Sequence, residues 1–308
     1  MSESAPPTQT ALEPAPWVIT PELMERFAEL FGDVNPLHTD AEFGRASAYR
    51  DNIVYGALSL LSLSALNWRG TLPRRMGFRR LTANFRQPVF VGDRLEVAPA
   101  LFPPGTGDGP VEFEYEIRNR ATGVVVTTGG GLLGLPGSEP EDLDGATEEP
   151  PLQPTRMPVQ RLVEQKLAFG EIRTGQVSAF DFDVTAGALR SLHEILQHGA
   201  QSHAPGWREW LNNCDPRAFL LAPLFGTFIG MCIPGRAGVA TNLHAEFHRP
   251  PALGRRCRMT GTVAFKSATT STVQIDVVIG EASGDTVYAT GKVQALVHAL
   301  HDGEAPGP

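Results

Sequence analysis

The sequence predicts an α+β protein built as two tandem copies of one unit, each with a helix against one face of an antiparallel sheet. Three observations carry that prediction. First, residues 134 to 155, GLPGSEPEDLDGATEEPPLQPT, are rich in Pro, Gly and acidic residues and nearly empty of large apolar ones. That is a linker composition, and it separates halves of similar size. Second, LTANFRQPVFVGDRL from Leu81 and LHAEFHRPPALGRRC from Leu243 share six identities in one ungapped register of 15 residues. The pairs are Leu81 with Leu243, Ala83 with Ala245, Phe85 with Phe247, Pro88 with Pro250, Gly92 with Gly254 and Arg94 with Arg256. Thr128-Gly129 and Thr290-Gly291 keep the same offset, which marks an internal duplication. Third, the two halves present their elements in the same order.

Each half opens on a helix, PELMERFAEL in the first and AGALRSLHEILQHGA in the second, with apolar residues at helical spacing. A small-residue apolar helix follows, ALSLLSLSALNW over residues 57–68 and TFIGMCI over residues 227–233. Strands come next. VEFEYEIRN and GVVVTTGGGLLGL in the first half, and RCRMTGTVAFK and STVQIDVVIG in the second, alternate and carry β-branched residues between turn signals. The helix ALSLLSLSALNW is apolar around most of its circumference and should be buried broadly. Its Ser59 and Ser62 share a face, and each can be buried by bonding a carbonyl one turn back. The expected units are a tail to residue 16, halves over 17–135 and 159–300, a linker over 136–158 and a tail over 301–308.

The chain has 308 residues, 42% of them hydrophobic, enough for one large core or two smaller ones. A net charge of −8 disfavours nucleic acid as a partner. The 3 cysteines, Cys214, Cys232 and Cys257, have no metal-ligand spacing and read as reduced thiols of a cytoplasmic protein. The start, MSESAPPTQTALEPAPW, has neither a basic nor an apolar region of a signal peptide, and no run reaches the length of a membrane span.

The stretch ELFGDVNPLHTD raises the functional question, because Asp33 and His38 stand five residues apart in a turn before the apolar helix. Two readings are open. In one, GDVNP is a helix-stopping turn, Asp33 caps backbone groups and His38 lies on the surface. In the other, Gly32 permits a backbone turn closed to other residues, while Pro36 fixes its own φ and holds Asn35 extended. The loop then presents a carboxyl and an imidazole together. A His with an ordinary pKa near 6.5 can transfer protons at neutral pH, and a neighbouring carboxyl can share a water with it.

These residues carry a family resemblance. FAELFGDVNPLHTDAEFGRAS, then VYGALSL, then FRQPVFVGDRL resemble the MaoC-like hydratase/dehydratase family of hot-dog proteins, which includes (R)-specific enoyl-CoA hydratases. The resemblance is specific over residues 27–43 and 81–95 and implies a double hot-dog, two tandem folds each with a long helix wrapped by an antiparallel sheet. It implies that Asp33 and His38 are the catalytic pair, that the Gly56 N–H binds the thioester carbonyl, and that Asn35 supports the loop. The family's His before that glycine is Tyr55 here, and its Met after it is Ala57. The motif does not recur in the second half, so one site per chain is expected, with the second half shaping the acyl pocket. The implied reaction is water addition to, or removal from, an enoyl or 3-hydroxyacyl thioester on CoA or an acyl carrier protein, with no metal or further cofactor. Alternatives are a specialised dehydratase or cyclase acting on a carrier-bound polyketide, and a non-catalytic acyl-binding module. A hot-dog thioesterase fits less well, since residues 57–68 hold no acidic base.

Other residues are weighed against this. Arg69, Arg74, Arg75, Arg79 and Arg80 crowd 12 residues after the central helix. They read equally as a solvated loop or as a docking patch for CoA phosphates or an acidic carrier, in which Arg79 and Arg80 bind substrate. Asn35, Tyr55 and Ser62 complete the expected substrate contacts. Arg249, Arg255, Arg256 and Arg258 divide between strand faces. His193, His198 and His203 rotate around a helix and read as surface or partly buried structural residues, and NNCDPRAF reads as a turn. A homodimer of double hot-dogs stays open.

Overall fold

The computed structural model describes residues 16–64, 77–101, 110–134, 162–201, 206, 208–209, 211 and 216–299. The expected tails and linker, together with Arg69, Arg74, Arg75, His203 and Cys214, lie outside the described residues. In the first half, β1 (Trp17–Val18) leads into α1 (Pro21–Phe31), α2 (Pro36–Thr39), α3 (Ala41–Ala46) and α4 (Gly56–Leu61). β2 (Gly77–Phe85), β3 (Arg94–Leu101), β4 (Val111–Asn119) and β5 (Val125–Gly134) follow. In the second half, β6 (Val177–Val184), α5 (Ala186–Ala200) and α6 (Pro216–Met231) precede β7 (Gly238–Phe247), β8 (Arg255–Ser267), β9 (Thr272–Glu281) and β10 (Val287–Val297).

All ten strands form one antiparallel sheet, in the order β1-β3-β4-β5-β2-β7-β10-β9-β8-β6. The order reads the same from either end once the repeat is applied. At the centre β2 pairs with β7, with Leu81 opposite Ala245, Thr82 opposite His244 and Ala83 opposite Leu243. Thr82 and His244 are repeat partners, and the flanking pairs exchange with each other under the repeat, so the join is self-complementary, as a two-fold interface is. Each half closes the edge that the other would expose. The molecule is a double hot-dog, as the sequence predicts.

The inner sheet face is built by period-2 alternation. Cys257, Met259 and Val263 on β8 and Val273, Ile275, Val277 and Ile279 on β9 are buried. Helices α4 and α6 fill the concavity and pack on each other, and α1 lies against α5. The repeated Thr-Gly pair has a structural cause. A Cβ on Gly129 would collide with the Thr82 carbonyl and lie 2.6 Å from the Tyr115 hydroxyl oxygen. One on Gly291 would stand 2.5 Å from both the His244 carbonyl oxygen and Phe225 Cε1. Thr82 and His244 are the residues on the pseudo-two-fold axis, so the same close approach is required twice.

Three expectations need correction. The second half's small-residue helix is Pro216–Met231 and not residues 227–233, so the end of NNCDPRAF is its first turn and not part of a loop. A helix buried on every side has no amphipathic period to read, and its Pro223 resembles a break. In the first half the α-helix spans Gly56–Leu61 and tightens to a 3-10 turn over Ser62–Ser64, while residues 65–68 of the expected helix lie outside the described residues. His193 is fully buried at 1% exposure, whereas His198 is partly buried and bonds Thr20 Oγ1 at 2.9 Å. None of the described helices is long and apolar enough to cross a membrane.

Gly291→Ala is expected to lower unfolding free energy by about 1–3 kcal/mol, because the added methyl has no room against Phe225 and a backbone carbonyl. Urea denaturation of the two proteins measures it.

Candidate active site

The site begins where α1 ends. Thr20 caps this helix by accepting from the Leu23 N–H, and Gly32 ends it with a left-handed φ of 69°, its N–H bonded to the Ala28 carbonyl at 2.8 Å. That reversal turns Asp33 inward. Asn35 then caps α2, its Oδ1 accepting from the Leu37 N–H at 2.9 Å, with Pro36 at the first helical position. The cap sets His38 on the last turn of α2. Asn52 ties the far side down, donating through Nδ2 to the carbonyls of Pro36, Leu37 and Asp40.

Asp33 and His38 line one cavity of about 270 Å³. Its walls come from both halves. Phe27, Tyr49, Ile53, Tyr55, Ser59, Leu60 and Phe85 stand on one side, and Ala222, Phe225, Gly226, Thr227, Gly230, Val239 and Leu243 on the other. Gly56 opens α4 at the cavity wall, preceded by Tyr55 as N-cap without a side-chain capping bond. The first amides of a helix have no intrahelical acceptor, so this end can donate to an oxygen in the cavity. A side chain at Gly56 would strike Phe85 Cε1 at 2.9 Å.

The two titratable groups are driven in opposite directions. Burial raises the Asp33 carboxyl from its ordinary 3.8 to about 7, against a partial lowering by the Asn35 N–H, which donates to Oδ1 at 3.3 Å. Thr227 also lowers it, and Glu164 adds a small rise. The Thr227 hydroxyl is near enough to act on the carboxyl electrostatically, yet it closes no hydrogen bond among the described residues. Burial lowers His38 from 6.5 to about 4. Its Nδ1 lies 2.7 Å from the Ile53 carbonyl oxygen, so Nδ1 carries the proton and donates. Nε2 therefore holds the lone pair. The arrangement pairs a carboxyl that protonates near neutrality with an imidazole that stays neutral there, an acid and a base in one cavity.

Several expected contacts fall elsewhere. Asn35 is completely buried and does not line the cavity; its Nδ2 donates to the Gly230 carbonyl at 3.0 Å. It ties the two halves together. Ser62 donates to the Ser59 carbonyl at 2.6 Å, also away from the cavity. The serines differ from expectation in that Ser59 Oγ lines the cavity, buried and without a hydrogen bond among the described residues. Arg79 and Arg80 lie on β2 outside the cavity, and Arg80 pairs with Glu112 at 2.7 Å. The cation that does line it is Arg86, at the other end of that strand, exposed and donating to Thr128 Oγ1 at 3.0 Å. Arg256 and Arg258 both engage Asp181, and Arg255 pairs with Glu281.

Sequence reasoning missed Thr227 and Gly230. A Cβ on Gly230 would stand 3.1 Å from Asp33 Oδ1, and one on Gly226 3.3 Å from the Ala57 Cβ. These glycines, one turn apart on α6, let the second half's central helix press against the first half's motif. The spacing GTFIG was visible, but which neighbour it faced was not.

The repeat also places a second pocket, and it is small. Phe247, His248, Arg249 and Pro250 line it where Phe85, Arg86, Gln87 and Pro88 line the first, and Gly77, Phe78 and Arg79 match Val239, Ala240 and Thr241. Its volume is about 20 Å³. Beside it Phe78 and Phe219 meet edge to face at 4.9 Å.

Fold and cavity together define a double hot-dog protein with an Asp–His site in its first half. Residues 3–117 match the family model described as MaoC like domain. Among solved structures, one described as a MaoC-like dehydratase is 15% identical, with 92% of this chain and 96% of the other covered and a TM-score of 0.64. A MaoC domain dehydratase structure from Chloroflexus aurantiacus J-10-fl is 10% identical, covering 94% of each chain, with a TM-score of 0.64. A conserved hypothetical protein from Mycobacterium tuberculosis with a double hotdog fold is 14% identical, covering 92% and 94%, with a TM-score of 0.61. Identities this low establish the shared fold alone. No curated protein sequence matches the chain.

The raised Asp33 carboxyl has a consequence for stability. The fold binds that proton more tightly than the unfolded chain does, so the contribution is full below about pH 4 and is lost as pH rises towards 7. His38 runs oppositely, costing stability as pH falls from 6.5 towards 4. Asp33→Asn keeps the shape and removes the buried charge. It is expected to be more stable than wild type by roughly 2 kcal/mol at pH 8. The difference should shrink below pH 7 and vanish near pH 4, read from denaturation midpoints across that range.

Proposed function

We propose that the chain catalyses reversible addition of water to a trans-2-enoyl thioester, giving the 3-hydroxyacyl thioester, with the acyl group carried on CoA or an acyl carrier protein. The observation that carries this reading is the acid–base pair in a single cavity, with Asp33 raised to about 7 and His38 held neutral by burial, while its Nδ1 bond to Ile53 fixes the tautomer. In hydration, His38 Nε2 takes a proton from water as the water oxygen bonds to C3. The C2–C3 π electrons move towards the thioester oxygen, which the Gly56 N–H stabilises. The protonated Asp33 carboxyl then delivers its proton to C2. Proton exchange between the imidazolium and the Asp33 carboxylate restores both groups. Dehydration is the same path reversed, and one acid–base pair on one side of the substrate makes it syn.

Ser59 and Thr227 supply buried hydroxyls, which close no hydrogen bond among the described residues, for the water or the product's hydroxyl. Arg86 offers an exposed cation to the carrier. Asp33 is the one carboxylate lining the cavity among the described residues, which supports its assignment as the acid. A binding module that has lost turnover is the competing reading. It gives no reason for the loop to keep a carboxyl buried at a cost in stability.

The test is hydration of trans-2-enoyl-CoA substrates of several chain lengths, followed by loss of the enone absorbance. Asp33→Asn and His38→Gln are each expected to lower kcat by about 10²-fold or more. Full activity in Asp33→Asn would overturn the assignment. Tight binding of acyl thioesters without turnover by wild type would favour the binding module.

A further inference from the structure

We infer that Tyr55 is a positioning residue for this reaction, its side chain fixing the Asp33 main chain and the His38 ring relative to each other while its backbone opens the helix that presents Gly56. The inference rests on the hydration reading for its catalytic consequence and on geometry for everything else. The Tyr55 hydroxyl donates to the Asp33 carbonyl at 2.8 Å. Its ring lies against the His38 imidazole, with centroids 4.1 Å apart and planes at 40°. The Phe27 ring stacks on it at 4.7 Å and 28°, and Phe27 in turn meets Phe31 at 4.6 Å. A row of rings thus runs from the α1 core to His38, and the hydroxyl at its end holds the loop that carries Asp33. Tyr55 is 2% exposed, so none of this competes with solvent.

Two other roles explain less. A residue that recognises substrate would offer its hydroxyl to the cavity, but this hydroxyl is already engaged with a main-chain carbonyl. Burial also drives the phenol far above its ordinary pKa, which keeps it a donor. A residue that merely fills the core would need only the ring, and Phe would serve. The bond to Asp33 is what Phe lacks. Asn35 holds the same loop from the other side, donating to the Gly230 carbonyl at 3.0 Å, so Asp33 is anchored through both of its flanks. Acid and base must meet one water, and a displacement of about 1 Å can cost 10²-fold in rate.

The experiment compares wild type, Tyr55→Phe and Tyr55→Leu by enoyl-CoA kinetics and by amide hydrogen exchange of the full chain. Tyr55→Phe is expected to lower kcat about tenfold with KM changed less than about twofold, and Tyr55→Leu to lower kcat about 10²-fold. Exchange at the Val34, Asn35, Leu37 and His38 amides should quicken about fivefold or more in Tyr55→Phe while β8, β9 and β10 keep their protection. A rise in KM with kcat retained would make Tyr55 a substrate contact and overturn the inference. So would unchanged kinetics, or exchange that quickens throughout the first half while kcat is retained. If wild type hydrates no enoyl thioester, the hydration reading fails on its own, and unchanged loop exchange in Tyr55→Phe would then overturn the positioning role.

Discussion

The hydrogen bond from Asn35 Nδ2 to the Gly230 carbonyl is the join on which the site depends. It spans the two halves at the point where the motif loop leaves α1. Its acceptor sits one turn from Gly226 on a helix whose glycines admit a neighbour at van der Waals distance. With Asn35 committed to α6 through its amide and to α2 through its carbonyl, Asp33 is held at 2% exposure on the cavity wall. The carboxyl is buried because the second half covers it. The pairing of β2 with β7 therefore matters for more than sheet closure, since it delivers α6 to the place where it can act as a lid over the loop.

Burial of that kind is costly for a carboxylate, and the structure offsets the cost only partly. The Asn35 N–H and the nearby Thr227 favour the charged form, yet the net shift is upward. A chain selected only for stability would place an amide or an apolar group there. His38 shows the matching feature, a half-buried imidazole whose backbone bond sets its tautomer. The same desolvation moves the two groups towards roles that neither has in water, because it disfavours whichever form is charged. Environment, more than residue type, separates acid from base here.

Duplication and loss can both be read in the molecule. The sheet order, the self-complementary register at Thr82 and His244, and the paired glycines at 129 and 291 preserve the repeat. Even the side-chain contact survives, since His248 reaches Thr290 Oγ1 as Arg86 reaches Thr128 Oγ1. The cavities do not match. One holds about 270 Å³ and the other about 20 Å³, with no counterpart of the Asp–His loop because α5 runs on through that place. The second half acts as a wall and a brace for the first.

The sequence by itself determined the duplication, the strand pattern and the loop that sets Asp33 beside His38, because all of these are local. Gly32, Asn35 and Pro36 impose their turn whatever lies around them, and a residue offset survives without any contact being known. The strand alternation was legible for the same reason, while the helix Pro216–Met231 was not, since burial on all sides erases the period that betrays a helix. Only the tertiary structure decided which polar groups face the cavity. Ser62, Asn35, Arg79 and Arg80 fall outside it and Ser59, Thr227 and Arg86 within it, although nothing in their spacing separates the two sets. The protonation of Asp33 and His38 was likewise undetermined until α6 lay across the loop, because a pKa shift from burial belongs to the surroundings and those surroundings come from residues two hundred positions away.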